Sequence, residues 1–173
     1  GPIGASLILY QVVTAQDANS LADYTLRIMQ TTRTYSLLNL AGTLPFVACA
    51  FLPVFGIESI APFGKLNAIA SSYGLAIACF LAGALWGNYL SGRYSGPLNL
   101  FVISNVIFLA VWFAFIGASL VWAIAVQIVA FLLLLLVDYR LRENGVISAH
   151  YFRLRSVATA VAVPALLAIL LQQ

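Results

Sequence analysis

From Asp138 to Arg155 the chain reads DYRLRENGVISAHYFRLR, and the residues able to do chemistry gather there. Arg140, Arg142, Arg153 and Arg155 stand beside Asp138, Glu143, His150, Tyr139 and Tyr151. The chemistry on offer is anion recognition. A guanidinium carries five donors in a fixed fork and pairs with phosphate or carboxylate two bonds at a time. Trp86, Asn88, Tyr89 and Arg93 close an apolar run and are expected at the same depth. A basic and aromatic cluster at a membrane interface can hold lipid phosphates or an acidic partner. The candidate set is therefore Trp86, Arg93, Asp138, Arg140, Arg142, Tyr151, Arg153 and Arg155. The plainer role for the same residues is an orientation signal with an aromatic belt. Asp138 is expected to pair with an arginine, and the sequence leaves open which one.

Other chemistry finds little material. His150 is the single histidine, and no acidic residue falls inside an expected membrane span. Acid–base catalysis and proton-coupled transport both want ionisable groups there. Cys49 and Cys79, with one histidine, cannot complete a four-ligand zinc site. They are expected as small buried residues, and no metal or cofactor is expected. No glycine-rich phosphate loop stands between a strand and a helix. The net charge of +3 is too small to argue for nucleic acid. Asn105 and Gln127 lie inside apolar runs, so each is expected to turn toward other helices and find a partner there. With Tyr73 they are candidate ligand-lining residues; a plain interhelical hydrogen bond is the simpler role.

The elements that must position these residues follow from composition. The chain is 63% hydrophobic and 8% charged, against about 25% charged in soluble domains. That gap makes it an integral membrane protein, an all-α helical bundle. A helical span needs about 20 apolar residues. Expected spans are residues 37–57, 66–90, 98–116, 119–137 and 156–171, forming one domain over 36–173. Pro45 and Pro53 predict a kink or a broken end in the first. Residues 98–137 form 40 nearly unbroken apolar positions. One straight helix of that length would reach about 60 Å, roughly twice the hydrocarbon thickness. A tight hairpin at Gly117-Ala118-Ser119 is therefore expected.

The second span, around YGLAIACFLAGALWGNY, is expected to be central. Read every fourth residue, one line is Ala70, Gly74, Ala78 and Ala82, and its neighbour is Cys79, Gly83 and Gly87. Small residues let helix backbones approach closely in lipid. Gly74, Ala78, Gly83 and Gly87 are accordingly the expected helix-packing positions.

Ahead of the spans, residues 1–35 are expected outside the bilayer. Ala5 to Val13 is too short to cross. Val13-Thr14-Ala15 has the form of a signal-peptidase site, but no basic stretch precedes it. Residues 16–35 place Leu21, Tyr24, Ile28 and Tyr35 on one helical face, as in a helix lying at the interface. With five spans, Arg27, Arg33, Arg93, Arg140, Arg142, Arg153 and Arg155 share one side, and Lys65 lies on the other. The basic side is the cytoplasmic or matrix side, which puts the N-terminus there.

Several of these motifs occur together in a known order. Gly42-Thr43-Leu44-Pro45-Phe46 resembles the opening of a small membrane family, and YGLAIACFLAGALWG resembles its central segment. Asp138-Tyr139-Arg140, Tyr151-Phe152-Arg153-Leu154-Arg155 and Thr159 resemble its later elements. The family is the one typified by transmembrane protein 69, domain of unknown function 3429. The likeness covers roughly residues 38–170. Leu85 departs from it, standing where a basic or histidine residue is expected. The resemblance implies a bacterial plasma membrane or a mitochondrial inner membrane, and no established activity.

Three functional classes remain. The leading expectation is a non-catalytic accessory or assembly subunit of a larger energy-transducing membrane complex, such as a respiratory one, whose partners are lipids and other membrane subunits. The alternative is a small-molecule or lipid-binding protein, or a carrier for an apolar quinone- or porphyrin-type cofactor, with Tyr73, Trp86, Asn105 and Gln127 lining the site. A membrane enzyme would need Asp138, His150 and the arginines to form a real site.

Overall fold

The computed structural model describes residue 34 and residues 36–117 and 119–172. The expectations for residues 1–33, including the interfacial helix, lie outside the described residues. From Asn39 onward the chain forms one compact unit. Five helices are long and apolar enough to cross a bilayer: Ser36–Phe55, Leu66–Leu90, Leu100–Gly117, Leu120–Glu143 and Ala149–Leu171. The protein is an all-α integral membrane bundle.

Proline breaks the first span, as its position predicts. The regular helix α1 covers Leu44–Phe51 with Pro45 in its first turn, where the missing N–H costs nothing. A 3₁₀ turn, Leu52–Phe55, carries Pro53 and ends at Gly56, whose φ of 78° places it in the left-handed region. Ahead of α1, the turn at Gly42-Thr43 frees backbone carbonyls. The Thr43 hydroxyl donates to Leu40 O at 2.7 Å, and the Tyr73 hydroxyl donates to Gly42 O at 2.8 Å. A neighbouring helix thus satisfies the freed group, which is what lets a broken helix persist in a membrane.

Residues 58–65, which connect the first two spans, contain a two-residue antiparallel pair, Ser59–Ile60 with Gly64–Lys65. The helices α2 (Leu66–Leu90), α3 (Leu100–Gly117), α4 (Leu120–Glu143) and α5 (Ala149–Leu171) follow. The break near residue 118 splits the long apolar run into α3 and α4 as expected. The ends of the last two helices differ from the expected ones. α4 runs on through DYRLRE to Glu143 instead of ending at Val137, and α5 begins at Ala149 instead of Ser156. Hydropathy marks the bilayer, whereas backbone hydrogen bonding continues through charged residues into water.

Helix α2 packs on α1, α3 and α4, and α4 packs on α2, α3 and α5; α1 also meets α5. The helices therefore close a ring, with α2 and α4 touching across its middle. Phe46, Leu85, Leu100, Ile124, Leu134, Leu141 and Leu166 are among the fully buried side chains at the centre. The outside carries large apolar groups such as Phe80, Leu90, Trp122 and Leu171, as a lipid-facing surface does.

Candidate functional site

The turn between α4 and α5 brings two oppositely charged residues together. Asn144 caps α4, its side-chain amide donating to Arg140 O at 2.7 Å. Gly145 follows at φ 70°, a conformation that glycine adopts without strain. The Ser148 hydroxyl then accepts from Tyr151 N at 3.1 Å and starts α5. The reversal sets Asp138 against Arg155, with Arg155 Nε donating to Asp138 Oδ2 at 3.0 Å. Asp138 is 7% exposed and Arg155 5%. The partner that the sequence left open is therefore Arg155.

Two buried polar atoms beside this pair have no hydrogen-bond partner among the described residues: Arg155 Nη2 and Thr159 Oγ1. They lie one helical turn apart on α5, on a face shared with Ala158, Ala162, Leu166 and Ile169. Tyr151, half-buried, lies near enough to both charges to feel them. The ion pair lies at the ends of two helices of membrane length, just beyond the expected spans 119–137 and 156–171. The sequence hides it because both residues sit at the edges of the apolar runs. Burying such a pair is costly, and removing one partner is costlier, since the other is left unpaired.

The rest of the arginine and aromatic set does not join this pair. Arg93, Arg140, Arg142 and Arg153 are exposed. Arg140 Nη1 lies 4.0 Å from Glu143 Oε2 on the surface. Arg142 sits over the Phe152 ring, 5.4 Å from its centroid. Trp86 faces outward at 43% exposure and stacks on Phe101, 5.1 Å between centroids.

A second polar centre joins α2 to α4. Gln127, with no exposed surface, donates from Nε2 to Ser71 O at 2.8 Å and lies 3.4 Å from Ser71 Oγ. Its Oε1 has no hydrogen-bond partner among the described residues and points at Gly74. A Cβ on Gly74 would overlap Oε1 and stand 3.0 Å from Gln127 Cδ and 3.6 Å from Phe46 Cε1. Phe46 packs edge-on against Tyr73 and Phe131. Gly74 is thus small because an amide lies against it. Sequence reasoning named Gly74 and Gln127 separately, met Phe46 only as part of the Gly42–Phe46 motif, and missed Ser71. Asn105, expected to seek a partner across the bundle, instead donates to Phe101 O of its own helix at 2.8 Å.

The two small-residue lines of α2 have different fates. Ala70, Gly74, Ala78 and Ala82 are buried. Gly83 and Gly87 are exposed, and a Cβ on either would meet nothing within 4 Å. The expected packing through these two glycines is not made inside the described bundle.

An apolar groove of about 590 Å³ runs between α3 and α4. Val102, Val106, Leu133 and Leu136 contribute to its walls, with Tyr94, Arg140 and Asn144 at the end nearest the loops. Among the described residues, no three His, Cys, Asp or Glu side chains are grouped to hold a metal. Neither the curated proteins nor the solved structures include a match to this chain. A family model described as protein of unknown function, DUF3429, matches residues 31–171. That stretch holds both polar centres and all five membrane-length helices, and the chain belongs to this family.

Proposed function

We propose that the chain is a non-catalytic accessory or assembly subunit of a larger energy-transducing membrane complex, docked through the open face of α2. The observation that carries this reading is the split between the two small-residue lines. One is used inside the bundle, and the other, Gly83 and Gly87, is open. In lipid, helices associate through close packing more than through hydrophobic drive, and a flat strip of glycine is what a partner helix can approach. The carrier reading needs Tyr73, Trp86, Asn105 and Gln127 around one ligand. Their contacts with Gly42, Phe101, Phe101 O and Ser71 respectively already give each a protein partner, which favours the docking reading.

The energy-transducing assignment rests on the membranes that the resemblance implies. The basic residues near the ends of α2 and α4 support an N-terminus on the cytoplasmic or matrix side. Extraction in mild detergent followed by native mass measurement tests the proposal. A partner at fixed stoichiometry is expected, and Gly83→Leu is expected to release it while leaving the bundle folded. A lone chain after gentle extraction, with no complex altered by Gly83→Leu, would overturn it.

A further inference from the structure

The groove between α3 and α4 lies apart from both polar centres and from the open face of α2. Its walls are mainly aliphatic, and among the described residues its one charged lining residue is Arg140. Asp138 lies two residues away on the same helix but faces α5, so it does not cancel that charge within the groove. Along α4 the lining runs from Leu133 to Arg140, seven residue steps, with Asn144 at the mouth beyond. At about 1.5 Å per residue Arg140 stands about 10 Å from Leu133, within the depth of one leaflet, half of a hydrocarbon core about 30 Å thick. The cationic end is the end nearest the loops, where a headgroup would lie. The volume of about 590 Å³ falls within the roughly 300–1,000 Å³ of ligand-sized sites.

We propose that this groove is a binding site for an anionic phospholipid. One acyl chain lies along Val106, Leu133 and Leu136, and the phosphate meets the Arg140 guanidinium. Three observations select this occupant. A neutral apolar molecule leaves Arg140 without use. A partner helix would need a surface that continues past the charged mouth. An anionic lipid uses the apolar walls and the charge together. The Arg140–Glu143 approach does not compete strongly, since it is 4.0 Å long and both side chains are about half exposed or more. Asn144 is held at the mouth by its bond to Arg140 O, so it marks the end of the site without supplying the charge.

The test uses the full chain, purified in detergent and titrated with phosphatidylglycerol or phosphatidylcholine, with bound lipid counted by native mass spectrometry. Phosphatidylglycerol is expected to be retained preferentially. Arg140→Gln is expected to weaken its retention about fivefold, the effect of one basic contact near a charged membrane surface. Val106 is 60% exposed, so Val106→Trp fills the groove without disturbing the core and is expected to abolish retention of that lipid. Equal retention of the two lipids would overturn the proposal, and so would an unchanged Arg140→Gln or Val106→Trp variant. Oleate displacing phosphatidylglycerol at equal concentration would reassign the site to a free fatty acid and overturn the phospholipid. The α2 face is untouched by either substitution, so loss of lipid with the partner complex intact separates this site from the docking proposal.

Discussion

Two glycines on one helix should respond oppositely to the same added methyl group. At Gly74 the new Cβ of alanine would overlap Gln127 Oε1. The Gln127 amide would have to move, and it is held by its Nε2 bond to Ser71 O. Losing a buried hydrogen bond costs about 1–3 kcal/mol, and crowding a packed site costs a similar amount. Alanine returns about 1 kcal/mol through its better helix propensity. The net expectation for Gly74→Ala is a loss of about 3 kcal/mol, the middle of the range these terms span. At Gly83 no atom lies within 4 Å of the added carbon, so Gly83→Ala should be neutral or slightly stabilising. The assay is thermal unfolding of each variant in the same detergent. A double-mutant cycle with Gln127→Ala isolates the contact. With the amide removed, Gly74→Ala should cost little beyond the Gln127→Ala change. Additive losses in the cycle, or equal effects at Gly74 and Gly83, would refute the argument that the amide sets the size of residue 74.

Replacing Asp138 by Asn should cost about 3–5 kcal/mol, because Arg155 would be left charged and buried. The combined Asp138→Leu and Arg155→Met change should cost much less, and a double change as severe as the single one would count against the pair. Thr159→Val removes a buried hydroxyl with no partner among the described residues, so its melting temperature should match or exceed that of the parent chain. A fall of several degrees would mean that the hydroxyl has a partner. Tyr73→Phe should lose about 1 kcal/mol with its bond to Gly42 O, measured by the same unfolding assay; an unchanged melting temperature would show that the turn at Gly42 does not depend on it.

Much of the architecture was legible because the bilayer acts on composition. Spans announce themselves as long apolar runs, and a run of twice the bilayer thickness must fold back. Pro45 and Pro53 mark the broken first span through their own missing donors. The site was less legible. Asp138 and Arg155 both stood out as charges, but nothing in their spacing distinguished Arg155 from Arg140, Arg142 or Arg153. That choice depends on the turn at Asn144-Gly145, which sets how α4 and α5 rotate against each other. The groove had no signal at all, since its aliphatic residues look like any others facing lipid.

By itself, then, the sequence determined that this is a helical membrane protein, how many times it crosses, and where its charges and turns lie. Each of these follows from local quantities: hydropathy over some 20 residues, proline chemistry and glycine freedom. Only the tertiary structure decided which face of each helix turns inward. It buried Gly74 and left Gly83 open, sent Gln127 to Ser71 and Asn105 back to its own helix, and paired Asp138 with Arg155. A helix hydrophobic on every side carries no apolar stripe to orient it, so rotation about its axis is set by packing against its neighbours.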